Sequence, residues 1–299
     1  MYLRMLEALR VQHDPATLPQ VREQAIGELE AFKRREDVVD YAMYVMSNPQ
    51  IQHHDAFSRH FALQCLIGSA KAYGAEGQAS PRAVALRSHA ATLLTSGTLP
   101  LDKEAFHVKE GVAQLVADLA ERAFPEDWPD FLDGLLSSWQ GSGETAAELC
   151  MMALRNMAED CTDSNFNARL STKRRSSILR AVNIRLEQLL LMTFQYFELQ
   201  FGNYQQAQTA LAGGGGMDVK EALVRATMLL RANLAMLRRF LLWIRHQDLL
   251  TPAHDFVAVF LRMLPEMELR CGLSPACPSL LAVATCRCCG TKLDSLPLT

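Results

Sequence analysis

The sequence predicts an all-α protein, a HEAT-repeat α-solenoid in which antiparallel helix pairs stack into a right-handed superhelix. Three observations predict it. Apolar residues recur at helical spacing up to about residue 265, and strict apolar–polar alternation is almost absent. Helical pairs begin near residues 16, 57, 104 and 143. Those steps of about 40 to 47 residues fit the two-helix HEAT period better than the roughly 34 of a tetratricopeptide array.

The elements follow in order. Leu18, Val21, Ala25, Leu29 and Phe32 form the first apolar stripe, which places a helix over 16–35 with a partner over 37–47. Phe57, Phe61, Cys65, Leu66, Ala70 and Tyr73 mark a helix over 57–74. Leu86, Ala90, Leu93 and Leu94 mark its partner over 81–96. Asp14-Pro15, Ser80-Pro81 and Thr251-Pro252 read as helix starts, a capping side chain before a proline suited to the first turn.

The next pair is the most distinctive. Val108, Val112, Leu115, Val116, Leu119 and Ala123 line one face of a helix over 104–124, which Pro125 ends. Pro129 suits the first turn of the next helix, over 128–140, and Phe124 and Trp128 form an aromatic plug at the bend. Both rings are expected to be mostly buried. Ala147, Cys150, Met151, Leu154, Met157 and Ala158 give a helix over 143–161, and a long helix runs from about Lys173 to Phe201. Four consecutive glycines after Ala212 read as a flexible linker. Helices over 218–246 and 252–264 follow. The tail after Arg270 holds five of the eight cysteines and three prolines. It reads as the start of a further repeat, so the 299 residues are expected to be the N-terminal part of a longer array or a truncated gene model.

Composition is that of an ordinary globular protein, 49% apolar and 21% charged, with a net charge of -3. That charge argues against wholesale coating of nucleic acid and leaves room for a local basic face. No stretch of about eighteen apolar residues is present, so no membrane span is expected. Cys65, Cys150 and Cys161 sit singly within helical stripes, as in a reducing compartment.

Catalytic signatures are missing. There is no Gly-x-Ser-x-Gly, no phosphate-binding Gly-x-x-x-x-Gly-Lys and no His-Glu-x-x-His, so neither an enzyme nor a cofactor is expected. His53, His54 and His60 read as exposed loop histidines. Cys286-Arg-Cys-Cys289 lacks the paired spacing of a zinc site, and no metal is expected. The strongest charge feature is Lys173-Arg174-Arg175 followed by Arg180 and Arg185. It fits a solvated helix start. It also fits a face that contacts phosphates, because cations at a helix N-terminus carry a small electrostatic cost.

Several segments carry a family resemblance. They are Arg59-His60-Phe61-Ala62-Leu63-Gln64, Gly97-Thr98-Leu99, His107-Val108-Lys109 and Phe124-Pro-Glu-Asp-Trp-Pro-Asp-Phe-Leu132. Gly143-Glu144-Thr145, Glu148-Leu149 and Leu154-Arg-Asn-Met-Ala-Glu-Asp160 continue it. Over roughly residues 14 to 265 the chain resembles the importin-β (karyopherin) superfamily, and within it the exportins that carry structured RNA. The resemblance implies importin-β N-terminal-like HEAT repeats over 1–100 and exportin-1-like repeats over 101–265, with a truncated Cys-rich start of a further repeat over 266–299. It implies a nuclear export receptor that shuttles between nucleus and cytoplasm. The implied partners are Ran-GTP, structured RNA or RNA-binding protein cargo, and nuclear pore proteins. A carrier of protein cargo and a HEAT scaffold without a transport role are the alternatives. Ran would lie against the second helices of the first repeats. Their polar positions off the apolar stripe are Asp40, Arg87, Asp130 and Asp133, with Arg87 expected to point outward. Lys173, Arg174, Arg175, Arg180 and Arg185 are the phosphate-contact candidates, and Phe124, Trp128 and Pro129 the structural corner.

Overall fold

The computed structural model describes residues 2–48, 56–76, 78–96, 98–162 and 170–243. Among them the chain forms eleven helices joined by turns and loops, and no strand. They are α1 (Tyr2–His13), α2 (Pro19–Lys33), α3 (Val38–Ser47), α4 (Ala56–Glu76), α5 (Pro81–Ser96), α6 (Phe106–Ala123), α7 (Phe131–Gly141), α8 (Glu144–Thr162), α9 (Thr172–Ile184), α10 (Leu186–Ala212) and α11 (Met217–Trp243). None is long and apolar enough to cross a membrane.

The chain divides into a unit over Met1–Met236 and a second over Leu237–Thr299. Of the second unit only the end of α11 is described, where the Phe240 and Trp243 rings meet at 5.5 Å. The first unit is an α-solenoid. The first helices of successive pairs, α4, α6 and α8, pack side by side in one layer. The second helices, α3, α5 and α7, form the other layer. Hairpin α1–α2 closes against α4.

Helix α6 is the centre of the stack. The sequence predicts one apolar face, whereas the structure buries nearly the whole circumference, including Ala113, Ala117, Ala120 and the charged Lys109, Asp118 and Glu121. The reason is position: α4 and α8 flank α6 within its layer while α5 covers it from the other. Small residues let those neighbours come close. A Cβ on Gly111 would lie 2.9 Å from Leu63 Cδ1 and 3.3 Å from its Cβ. The α4 and α6 backbones therefore meet at Gly111.

Several boundaries differ from expectation. A helix precedes the first predicted one: α1 spans Tyr2–His13. Asp14 caps a turn rather than a helix, accepting from Ala16 N at 2.9 Å and from the Thr17 hydroxyl at 3.2 Å. The next helix starts at Pro19. Its stripe is only partly buried, because Leu18 and Val21 are exposed beside buried Ala25 and Leu29. On α4, Phe57 is 61% exposed and lies with its ring 5.0 Å from that of His13 rather than entering the core. The long helix predicted from Lys173 breaks at Arg185, which is the C-cap of α9 and the N-cap of α10.

The glycine run is a tight turn and not a loose linker. Gly214 has a φ of 91°, a region that only glycine enters at no steric cost. Gly213, Gly214 and Gly215 donate to Thr209, Leu211 and Ala210, satisfying the last carbonyls of α10. Helix α11 then starts at Met217 and ties back through Asn233 Nδ2 to Thr193 O at 3.1 Å. The helix predicted over 252–264, the Thr251-Pro252 start and the cysteine-rich tail lie outside the described residues.

Candidate functional site

The bend between α6 and α7 is the best-defined polar site. Helix α6 ends at Phe124, whose N–H still donates to Ala120 O, and the Phe124–Pro125 peptide is cis. Phe124 is buried with its ring 5.6 Å from that of Phe131. Trp128 is of intermediate burial, less enclosed than Phe124, and lies 4.9 Å from Phe131. Phe131, itself buried, meets both rings. Pro129 is exposed and precedes α7 by two residues, so the first helical position belongs to Phe131 and the cap to Asp130.

A helix C-terminus leaves carbonyls without partners, and here a distant arginine supplies the donors. Arg174 Nε donates to Glu121 O at 2.7 Å, and Nη2 donates to Phe124 O. Its Nη1 pairs with Glu126 Oε2. Ser177 Oγ donates to the other oxygen of the same carboxylate at 2.8 Å. Burial pushes the Glu126 carboxyl upward. The hydrogen bonds from Ser177 and Arg174 outweigh that, so its pKa is held below the ordinary value. Arg174 thus fastens α9 onto the corner.

The other basic candidates divide. Arg185 Nη2 pairs with Asp133 Oδ2 at 2.9 Å, linking the α9–α10 break to α7. Arg175 is half-buried, while Lys173 and Arg180 are exposed. The acidic candidates sit in the second-helix layer. Asp40 on α3, Asp130 before α7 and Asp133 on α7 are all exposed. Arg87 turns inward, against expectation. It is 7% exposed, and Nη1 donates to Gln78 O at 2.8 Å. Position one after Leu86 does not face solvent here, because α3, α6 and α7 surround α5 and the guanidinium caps the loop before it.

Sequence reading missed a ladder of ion pairs between repeats. Arg59 on α4 meets Glu104 in the loop before α6, both N–O distances being 2.7 Å. Lys109 on α6 pairs with Glu148 on α8 at 2.7 Å and also donates to Leu101 O. Arg155 on α8 reaches Glu110 on α6 at 2.7 Å, with Asn156 bridging Glu110 and Gln114. The spacing is the available signal: Arg59–Glu104 and Glu110–Arg155 are each 45 residues apart, one repeat step. Burial raises the Glu148 pKa above its ordinary value, although Lys109 pulls it down.

Two clusters bear on metal binding. Asp118, Glu121 and Asp160 each bring an oxygen within 4.8 Å of the others. Asp118 Oδ1 accepts from Gln114 Nε2 at 2.7 Å, and the cluster lies beside Cys161. Burial pushes the Cys161 thiol up to about 12. His60 lies on α4, half-buried and 5.3 Å from the His107 ring, rather than in a loop. Burial and the neighbouring imidazoles lower its pKa. His53, His54 and the Cys286–Cys289 run lie outside the described residues.

Residues 106–278 match the family described as exportin 1-like protein. The chain belongs to that family. It is 27% identical to exportin-5 of Mus musculus over 270 residues, which cover 90% of this chain and 21% of the relative. Exportin-5 of Homo sapiens is 28% identical over 207 residues, covering 69% of the chain and 16% of the relative. The Arabidopsis thaliana protein HASTY 1 is 33% identical over 99 residues, 33% of the chain and 8% of the relative. The chain thus spans about a fifth of the first relative's length. Arg59, Lys109, Glu148, Arg155 and Asn156 all fall in the segments that carry the resemblance, so those segments include the joints between repeats.

Proposed function

We propose that this exportin 1-like solenoid is the Ran-GTP-engaging part of a nuclear export receptor that shuttles between nucleus and cytoplasm. Its cargo is structured RNA or an RNA-binding protein, and it passes through contacts with nuclear pore proteins. It acts by binding and not by catalysis. The observation that carries the reading is the family match over residues 106–278. The acidic side chains exposed on the second-helix layer, Asp40, Asp130 and Asp133, suit a partner with basic groups. Arg87 is withdrawn from this surface, since it is 7% exposed and its guanidinium is engaged by Gln78 O. Two ligands on one solenoid each lower the cost of binding the other when both favour one curvature.

The deciding experiment is capture of purified Ran by the immobilised chain, loaded with GTP against GDP. Retention of the GTP form alone is expected, and equal retention or none overturns the reading. Cargo class is the next question. Arg174 and Arg185 are engaged by the corner and by Asp133, which leaves Lys173 and Arg180 as the exposed basic candidates of α9. This favours protein cargo as a second reading. If structured RNA binds through these two cations, log K falls with log salt at a slope of only about -1.4 to -1.8. A zero slope or no RNA binding selects protein cargo.

A further inference from the structure

The start of α9 carries a feature that binding does not use. Lys173-Arg174-Arg175-Ser176-Ser177 places arginines three and two residues before Ser177. Kinases that recognise upstream cations through acidic pockets read this order of side chains. Arg174, Ser177 and Arg180 follow at three-residue steps, so they lie on successive turns of one side of α9. Ser177 is half-buried, and its Oγ donates to Glu126 Oε1 at 2.8 Å. The same carboxylate holds Arg174, whose remaining donors cap the Glu121 and Phe124 carbonyls. A single hydroxyl therefore sits at the fastening between α9 and the corner.

We propose that Ser177 is a phosphorylation site for a basophilic serine/threonine kinase, and that phosphate there unfastens α9 from the Phe124–Pro125 corner. In the transfer, Ser177 Oγ bonds to the γ-phosphorus of ATP as the bond to the β-phosphate oxygen breaks. ADP leaves, and the hydroxyl proton passes to the base of the kinase. The product loses the donor that held Glu126 and gains a charge of about -1.5 to -2 beside that carboxylate. Like charges then push Glu126 away, and Arg174 Nη1 turns from Glu126 to the phosphate one helical turn on. The phosphate is favoured where it forms. Lys173, Arg174 and Arg175 crowd the first turn of α9, where the helix dipole disfavours cations, and Arg180 lies one turn beyond Ser177, so cations flank the phosphate on both sides. Access is local, because α9 is short and buries only Ile178 and Val182, so its opening costs less than global unfolding.

The test is incubation of the intact chain with a purified arginine-directed serine/threonine kinase and Mg-ATP, followed by tandem mass spectrometry. Phosphate at Ser177 is expected. It persists in Ser176→Ala and is lost in Ser177→Ala. Undiminished labelling of Ser177→Ala, or no labelling of the parent, overturns the site. Hydrogen exchange then reads the switch. Amides of residues 172–184 in the phosphorylated chain exchange about tenfold faster, as expected for loss of a charge-assisted hydrogen bond. Glu126→Gln, which removes the opposing charge, abolishes that acceleration. Unchanged exchange in the phosphorylated parent overturns the unfastening, and equal acceleration in Glu126→Gln overturns repulsion as its cause. Neither result depends on Ran or cargo binding.

Discussion

Arg59 and Glu104 form a two-pronged ion pair with both side chains 1% exposed, and the pair joins one repeat to the next. Glu104 also accepts the Leu99 and Ala105 backbone N–H groups, at 2.8 and 3.0 Å. The carboxylate is therefore the organiser of the loop before α6 as well as the partner of Arg59. Breaking a buried pair from one side strands a charge, so Arg59→Met is expected to cost about 3–5 kcal/mol. Adding Glu104→Leu does not restore the parent. It orphans two part-buried backbone donors, and a deficit of about 1–3 kcal/mol in total persists. Urea midpoints of the parent, the single and the double variant measure this. A double variant as stable as the parent would contradict the organising role of Glu104.

Glu148 has the opposite character. Burial raises its folded pKa above 4.5 despite the Lys109 ammonium at 2.7 Å. A carboxyl raised on folding favours the protonated native state. Its contribution is fully present below the unfolded value near 4.5 and is lost as pH rises through the higher folded value. Glu148→Gln removes this dependence. The difference in Tm, variant minus parent, should therefore grow more positive as pH climbs from 4.5 toward neutrality. A difference that is flat or falls over that window would show that Lys109 outweighs burial.

The corner predicts an order of truncation costs. Phe124 and Phe131 are each 3% exposed, whereas Trp128 is half-buried. Phe124→Ala and Phe131→Ala should each cost about 3–5 kcal/mol. Trp128→Ala removes a larger ring but only part of its contact area, and about 1–2 kcal/mol is expected. Thermal melts followed by circular dichroism test the order. Trp128→Ala as the most damaging of the three would make the indole the main plug.

Why some of this was legible in the sequence, and some not, comes down to range. Ser80-Pro81 is a local device: Ser80 Oγ accepts from Ala83 N at 3.2 Å, and α5 starts and ends where the pattern places it. Asp14-Pro15 has the same composition, yet Asp14 is satisfied within its own turn, so the helix waits for Pro19. The break at Arg185 has no proline or glycine to announce it. It coincides with a long-range pair, Arg185 to Asp133 across 52 residues. Inward rotation of Arg87 and engagement of Arg174 by the corner likewise depend on neighbours from other repeats. Charge clusters could be found by inspection, but which charges stay exposed is decided by stacking.

Gly111 gives a substitution whose sign runs against helix propensity. On an isolated helix Gly→Ala stabilises by about 1 kcal/mol. In α6 the new methyl would stand 2.9 Å from Leu63 Cδ1 and 3.3 Å from Leu63 Cβ, which is fixed to the α4 backbone. Leu63 is fully buried, so its side chain cannot swing out into solvent. Overpacking of this kind costs about 1–3 kcal/mol, so Gly111→Ala should lower Tm. Gly134→Ala in α7, with nothing within 4 Å of the added carbon, should raise it. A higher Tm for Gly111→Ala would mean that α4 and α6 separate freely.

Asp130 and Asp133 test the proposed Ran surface most directly. Both are exposed, and together they present negative charge at the start of α7. They are not equivalent, since Arg185 at 2.9 Å offsets Asp133 while Asp130 heads the helix. Exposed charges act mainly on encounter, and their reach is about 8–10 Å at moderate salt. Asp130→Lys with Asp133→Lys should therefore slow Ran-GTP association at low salt and flatten its salt dependence. Dissociation should change little. Asp130→Lys alone should account for the larger share, because reversing Asp133 also repels Arg185 and disturbs the α9–α10 break. Stopped-flow association at two salt concentrations separates these cases. On-rates equal to the parent at low salt would remove both aspartates from the surface, and a larger effect from Asp133 alone would assign the result to the Arg185 contact instead.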